Sequence, residues 1–510
     1  MSPLSRPPEL AGRSALRFIG GGAFTYDELE RASCRLANGF RAAGLALGDH
    51  VAFLLENRLE LLIFAWGAQR AGLYFTPVPT HLKAEEVSYI LADSGAALVA
   101  ASAQHTVTLR DLQPALRNVR HWLTVDGPEP GFLALADFLE GQESTPSAME
   151  FEGAAMLYSS GTTGRPKGVK RRLVAAPFGA EQLSPMYRHH GMTSETVLLS
   201  PAPLYHAAPL RSVMAVHRLG GSVIAMNRFD ARALLESIET FGATHVQVVP
   251  TMLHRLLDLP KHVRESYDLS SLRCLIHAAA PCPIATKQAL IDWLGPIVNE
   301  YYGGTEGVGI TYITSQEWLD HQGSVGRAII GEPHIMGDDG QELPIGATGL
   351  IYFANGPAFE YHNAPEKMDE VTNDRGWITL GDIGRLDKDG FLYLVDRRSF
   401  VINSGGVNIY PQEVEETLLK HPGIVDAAVF GVPNTEFGEE VKAIVQMNAP
   451  VRHPDATAAA LIAFCRERIS HVKCPRSVEF IDVMPRSESG KLLKAQLKQA
   501  YWRQGTQPCP

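Results

Sequence analysis

The sequence predicts an α/β protein: a large N-terminal domain of parallel-sheet βαβ layers with a β-rich subdomain, then a small mobile α+β C-terminal domain. Three observations predict it. Apolar runs of strand length alternate with amphipathic helical stretches as far as residues 297–302, which argues βαβ units and a parallel sheet. From Gly323 the texture changes to short strands and turns, including Asp338-Asp339-Gly340 and the runs 348–353 and 391–395. After Arg397 a mixed segment of about 110 residues is long enough to fold by itself. A chain of 510 residues exceeds what one core serves, and the boundaries fall at 1–397 and 398–510.

Phe24-Thr25-Tyr26 reads as extended, and Leu29, Leu36, Ala37 and Phe40 share one face of a helix stopped by Gly44. Strands at 51–55, 73–78 and 97–100 alternate with helices at 59–71 and 84–92. The segment 127–153 is rich in turn formers and is expected to join two sheet layers. Beyond it, strands at 197–199, 223–226, 245–249, 272–277 and 297–302 alternate with helices at 210–219 and 231–241. Three of these strands run into unusual segments: 201–207, Ala278-Ala279-Ala280-Pro281, and Gly303-Gly304-Thr305-Glu306-Gly307. Ligands of open parallel sheets sit beyond the carboxyl ends of strands, so a site is expected there. The tail reads as a helix at 411–419, strands near 427–432 and 441–447, a helix at 458–469 and a terminal helix past Leu492.

Net charge is −10, from 46 basic and 56 acidic side chains, and no basic run or stripe appears, which speaks against a nucleic-acid partner. The six cysteines are dispersed without a C-x-x-C, and residues 2–13 lack the apolar core of a secretion signal. A reduced, cytoplasmic protein is expected. The apolar stretch 61–66 is flanked by Arg58, Glu60 and Arg70 and is too short to span a bilayer, so membrane contact is at most peripheral. His189 and His190 read as part of a polar loop.

The chemistry concentrates between Tyr158 and Val169, which reads Y-S-S-G-T-T-G-R-P-K-G-V. Hydroxyls at Ser159, Ser160, Thr162 and Thr163 are interleaved with Gly161, Gly164 and Gly168. Glycine lets backbone N–H groups form an anion-binding concavity, and Lys167 and Arg165 supply charge, so the stretch suggests a phosphate cradle. It is not a Walker loop, because Pro166 stands where the second glycine belongs, and its glycine spacing is not G-x-G-x-x-G. The twelve-residue string resembles the phosphate-binding loop of the acyl-adenylate-forming enzymes, the superfamily of acyl-CoA synthetases, luciferases and peptide-synthetase adenylation domains.

Further matches follow at family-like distance. Tyr302-Gly303-Gly304-Thr305-Glu306 resembles the second signature, Y-G-x-T-E; the resemblance gives Tyr302 the face of the adenine and Glu306, with Thr162, the Mg²⁺. His277-Ala278-Ala279-Ala280-Pro281 corresponds to the small-residue turn that borders adenine, which implicates Ala279 and Ala280. Thr379-Leu380-Gly381-Asp382 followed by Arg397 implies the ribose contacts. Pro485-Arg486-Ser487-Glu488-Ser489-Gly490-Lys491 matches the C-terminal signature, and the family assigns its lysine to the adenylation step. The Ser404-Gly405-Gly406 turn corresponds to one that faces the thiol substrate. One departure stands out: Ser399 and Phe400 follow Arg398 where relatives carry a charged hinge.

The resemblance implies an acyl-CoA synthetase that joins a small carboxylic acid to coenzyme A at the expense of ATP, with Mg²⁺. Lys491, Glu306 and Thr163 are its implied catalytic residues. Tyr205, His206, Ala207 and Gly304 are expected to border the acyl group. No Asp occurs in 205–209 to pair a substrate ammonium, which disfavours an amino acid, and small residues leave room for an apolar acyl group. The wording H-A-A-A-P-C-P and S-G-G-V-N-I-Y-P-Q-E-V-E is most similar to bacterial fatty-acid, steroid or bile-acid CoA ligases. Alternatives are an acyl-adenylate-forming enzyme without CoA transfer, an amino-acid or aryl-acid adenylating enzyme, and a non-catalytic nucleotide binder. A homodimer is the assembly entertained.

Overall fold

The computed structural model describes residues 4, 11–159, 166–180, 183–405, 407–486 and 492–504. Two parallel sheets carry the N-terminal part. The first has six strands in the order Leu133–Ala134, His121–Thr124, Leu98–Ala101, His50–Leu54, Tyr74–Pro77, Ala154–Ala155, every neighbouring pair parallel. Strands such as His50–Leu54 are buried along their whole length, which is why they read as continuous apolar runs without alternation.

The second sheet has nine strands: Arg327–Ile330, Ile310–Ile313, Val298–Gly303, Cys274–His277, His245–Val248, Val197–Ser200, Ser222–Ala225, Ser14–Phe18, Ala23–Thr25. The six from Val298–Gly303 to Ser14–Phe18 are mutually parallel, and the edges are antiparallel. From Val197–Ser200 the chain steps outward to Ser222–Ala225; from the adjacent His245–Val248 it steps the other way to Cys274–His277. The strand order therefore reverses between those two, and a crevice opens beyond their carboxyl ends.

One apolar core binds the two sheets together. Val51, Phe53 and Phe75 of the first join Leu198, Val223 and Ile276 of the second, through Phe40, Phe64, Trp66 and Val213 of intervening helices. Helix Leu59–Arg70 is buried from Leu61 onward and apolar all round over 61–68, as a helix between two layers must be. Trp66 satisfies its indole N–H on His217 Nδ1 at 3.1 Å. Helix Tyr26–Ala42 starts on a Thr25–Glu28 capping box and is followed by Gly44 at φ +77°, a conformation that only glycine takes without cost.

The antiparallel subdomain consists of Glu332–Met336, Gly349–Ala354, Ile378–Leu386 and Leu392–Arg397. Beyond Arg397 a five-stranded sheet, with helices Pro411–Leu419 and Pro454–Arg466, builds its own core around Val414, Val429, Val445 and Leu461. Several features differ from the sequence expectation. Helix Ala103–Leu112 and strand His121–Thr124 extend the first sheet, and the segment 127–153 itself contributes strand Leu133–Ala134 and the one-turn helix Leu135–Phe138. Strand Ser14–Phe18 inserts into the second sheet beside Ser222–Ala225.

Candidate active site

A cleft of about 1900 Å³ lies at the carboxyl ends of the second sheet, roofed by the antiparallel subdomain and the C-terminal domain. Helices Ala207–Leu219, Pro250–Leu257 and Ile284–Leu294 begin on its wall, and their caps His206, Val249 and Pro283 make no side-chain capping bond. Helix N-termini carry partial positive charge and orphan N–H groups, so the wall favours an anion. Ala279, also on the wall, holds φ at +74°, a left-handed conformation costly for a residue with a Cβ.

Asp382 anchors one end of the cleft. Its Oδ2 accepts from the Tyr302 hydroxyl at 2.6 Å and its Oδ1 faces Arg397 Nε at 3.0 Å, with Asp382 only 7% exposed. Burial, then the neighbouring Asp382 charge, pushes the Tyr302 phenol well up, so it stays a donor. The carboxylate is held from two sides and lines the cleft, and a carboxylate's two oxygens have lone pairs enough to accept from vicinal hydroxyls as well.

A second carboxylate lies nearby. Glu306 Oε1 accepts from Tyr361 at 2.9 Å, and Lys167 Nζ sits 4.7 Å from the centre of the same tyrosine ring. The strand Lys167–Lys170 pairs on one side with Leu157–Ser159 and on the other with Glu360–Tyr361, which brings this chain of side chains together. At Gly304 a Cβ would stand 2.6 Å from Glu306 Oε2 and 2.9 Å from Leu380 Cδ2, so a side chain there would push those two ends aside. Thr305 is fixed through its carbonyl, which accepts from Arg211 at 3.0 Å.

At the other end Tyr205 and His206 pack edge to face at 4.7 Å and lead into Ala207. From there the cleft follows one face of helix Ala207–Leu219, through Arg211, Met214 and Ala215 to Arg218. Between the two ends lies a buried ion pair, Lys287 Nζ to Glu300 Oε2 at 2.7 Å, with His277 Nε2 3.5 Å from the same oxygen. Burial raises the Glu300 carboxyl against the pull of Lys287, while burial and then the Lys287 charge keep His277 neutral.

The structure brings Ser159, Lys167, Tyr205, His206, Ala207, Ala279, Ala280, Tyr302, Gly303, Gly304, Thr305, Glu306, Asp382 and Arg397 to this one cleft. Ser160, Gly161, Thr162, Thr163, Gly164, Gly406 and Lys491 lie outside the described residues. The flanks of Lys491 are described, and Pro485, Arg486, Leu492 and Lys494 all line the cleft. Ser404 and Gly405 do not: Ser404 is buried and Gly405 N–H donates to the Phe437 carbonyl at 2.8 Å. The C-terminal domain thus turns Pro485, Arg486, Leu492 and Lys494 toward the cleft and keeps Ser404 and Gly405 away from it.

His190 corrects an expectation. It is buried, 5.9 Å from the Tyr301 ring and 5.1 Å from Tyr312, because the turn after helix Pro185–His189 packs onto the sheet. Among the described residues, His321, Asp387 and Asp389 have metal-ligand spacing, yet Asp387 Oδ2 already accepts from His321 and Tyr393. Sequence reasoning missed Tyr361, Arg211 and the Lys287–Glu300 pair. Tyr361 sits in a two-residue strand too short for any periodicity, and only its partner strand brings it to Glu306.

A family model described as AMP-binding enzyme matches residues 8–359, and one described as AMP-binding enzyme C-terminal domain matches residues 413–491. The feruloyl-CoA synthase of an Amycolatopsis species is 35% identical over 486 residues, 94% of this chain and 95% of that protein. The long-chain-fatty-acid–CoA ligase FadD13 of Mycobacterium tuberculosis is 31% identical over 488 residues, 94% of this chain and 93% of that one. ATP-bound MatB from Rhodopseudomonas palustris superposes with a TM-score of 0.84 at 28% identity, covering 98% of this chain and 97% of that chain.

Proposed function

The chain belongs to the AMP-binding enzyme family, among its adenylate-forming acyl-CoA ligases, and from that premise we propose that it activates an apolar carboxylic acid and passes it to coenzyme A. ATP and coenzyme A are the family's substrates, with Mg²⁺ its usual companion. The observation that carries the reading is the doubly held Asp382 in one cleft with Lys167, Glu306 and the apolar side chains of Met214 and Ala215.

A carboxylate is a poor acyl donor because its oxygen leaves badly. Attack of that oxygen on the α-phosphorus of ATP forms the acyl–AMP bond and expels pyrophosphate. A thiolate then takes the acyl carbon and AMP leaves. The protein's part is positioning and charge neutralisation. In this reading Asp382 and Arg397 hold the ribose, Tyr302 faces the adenine, and Lys167 with the uncapped helix ends meets phosphate oxygens. Glu306 fits Mg²⁺, which takes one or two carboxylates together with phosphates and water, and the ion would neutralise charge on the departing pyrophosphate. Tyr361 keeps the Glu306 carboxylate aimed. Lys491 acts in the first step only, and the Ser404-Gly405-Gly406 turn replaces it after the domain rotates.

ATP–pyrophosphate exchange across a panel of carboxylic acids, with and without coenzyme A, tests the reading. Acid-dependent exchange and a thioester product are expected; no exchange with any acid overturns it. Lys491→Ala should abolish acyl-AMP formation and leave thioester formation from supplied acyl-AMP largely intact, and equal loss in both assays would refute the division of labour. A second reading, adenylation without thioester transfer, draws on the hinge. Phe400 lies 5.2 Å from Lys494 Nζ, itself paired with Glu415 at 2.7 Å, which ties the hinge to the C-terminal domain. Exchange without any CoA-dependent product would select it.

A further inference from the structure

A carboxylate spans the hinge. Strand Leu392–Arg397 closes the antiparallel subdomain, and its pairing with Ile378–Leu386 sets Arg397 opposite Asp382 and Asp396 opposite Ile383. Neighbours along a strand turn to opposite faces. Arg397 accordingly reaches the Asp382 carboxylate, while Asp396, only 9% exposed, accepts from Gln412 N–H through Oδ2 at 2.8 Å. Gln412 is the second residue of helix Pro411–Leu419, whose Val414 and Leu418 belong to the C-terminal core. The helix's own cap, Tyr410, makes no side-chain capping bond. A side chain anchored in one domain therefore caps a helix of the other, with a charge-assisted bond at the helix's positive end.

A second contact crosses the same junction. Phe400 ends the single turn Arg398–Phe400, and the centre of its ring lies 5.2 Å from Lys494 Nζ. Lys494 is buried and pairs at 2.7 Å with Glu415, which stands on helix Pro411–Leu419 and also accepts from Val429 N–H at 2.6 Å. The ring thus meets an ammonium already held in place by the C-terminal domain. A charged side chain at this position would keep to water, whereas phenylalanine packs. With both contacts made, Pro485, Arg486, Leu492 and Lys494 line the cleft.

We propose that Asp396 is a positioning residue for the first half-reaction: assisted by Phe400, it holds the C-terminal domain in the orientation that forms acyl-AMP. The proposal rests on the acyl-CoA ligase reading above. A bond that spans a hinge survives in one setting of that hinge, so its whole strength weighs on the balance between the two orientations. Neither residue touches a reactant in this account. Asp396 acts through the segment that the C-terminal domain presents to the cleft, and its loss should slow one step and spare the other. Arg397 N–H donates to Asp396 Oδ1 at 2.6 Å, so the strand end proposed to meet the ribose is also the one that sets the domain.

The test measures the two half-reactions separately in the full-length enzyme, with the best acid of the panel and saturating ATP. Acid-dependent pyrophosphate exchange reports the first, and CoA-dependent thioester formation from supplied acyl-AMP the second. Asp396→Ala should lower the exchange rate roughly tenfold, the shift that loss of a helix cap gives an equilibrium, and leave the second rate unchanged or higher. Asp396→Asn keeps an oxygen for Gln412 N–H and should recover exchange to within about threefold of the unaltered enzyme. Phe400→Ala should lower exchange about two- to threefold with the same sparing of the second step, and it carries the test if Asp396→Ala does not fold. Equal loss in both half-reactions, loss in the second alone, or exchange within about twofold of the unaltered enzyme in both alanine variants overturns the proposal and leaves the ligase reading standing. No exchange with any acid in the unaltered enzyme, or exchange without a thioester product, sinks the ligase reading and this proposal with it.

Discussion

The two parallel sheets share a design and differ in what fills their crevices. In each, the strand order reverses between two neighbours: His50–Leu54 and Leu98–Ala101 in the first, Val197–Ser200 and His245–Val248 in the second. Beyond the first reversal point the polar groups satisfy one another. Glu56 accepts from Ser102 at 2.8 Å and Gln104 at 2.9 Å, Arg58 pairs with Asp126 at 2.7 Å and Glu60 at 2.7 Å, and Asp126 accepts from Ala103 N–H at 2.8 Å. Arg58's hydrogen bonds hold the Asp126 carboxyl below its usual range. A carboxylate thus occupies the helix N-terminus at which a ligand anion would bind. Beyond the second reversal point the helix ends carry no side-chain cap, and the crevice is the cleft. Topology offers two sites; side-chain chemistry closes one.

That contrast is broken most directly at Asp382. Asp382→Ala strands the Tyr302 hydroxyl and Arg397 and removes the proposed ribose acceptor, so kcat/KM for ATP should fall roughly 100-fold, worth about 2.7 kcal/mol. A loss under fivefold would show that the doubly held carboxylate is not where ATP is gripped. Arg58→Ala, at the closed crevice, should instead cost about 1–3 kcal/mol in urea denaturation, since it leaves carboxylates without their cation, with exchange kinetics unchanged. A tenfold drop in exchange would mean that the first crevice is not closed after all.

The smallest effect is a pH slope. Burial pushes His50 and His190 down to about 3, and burial likewise lowers His245 and His277. The unfolded chain binds these protons near pH 6.5 and the folded one does not, so their contribution is whole above that value and is lost as pH falls toward 3. Each costs up to about 1.4 kcal/mol per pH unit across that window. Three of the four belong to or pack against the second sheet, and one lies in the first. Amide exchange at pH 5 should therefore loosen the strands of the second sheet before those of the first; the opposite order would contradict the assignment of neutral buried histidines.

Much of this was legible in the sequence, for a physical reason. Strands buried on both faces announce themselves as apolar runs, so 245–249 and 297–302 were placed within a residue of His245–Val248 and Val298–Gly303. Helices Ala231–Phe241 and Pro411–Leu419 span the expected 231–241 and 411–419 because Asp230 and Pro411 signal their starts. Strand Ser14–Phe18 was not legible, because its partner lies at Ser222–Ala225 and nothing local to S-A-L-R-F reports that pairing. Residues of the cleft borne on strings of special composition, such as Tyr302 to Glu306, could be singled out from the sequence. Tyr361, Arg211 and Arg218 could not, since an isolated tyrosine or helical arginine looks the same whether it faces solvent or a cleft.

Helix Leu59–Arg70 is sheathed by both sheets, with Trp66 embedded in apolar groups from each. Neither half can therefore finish burying its own interior, and cutting the chain between them should yield fragments that fold only when mixed. Heat should melt the pair in one cooperative transition, while the C-terminal domain, built on a separate interior, is free to come apart by itself.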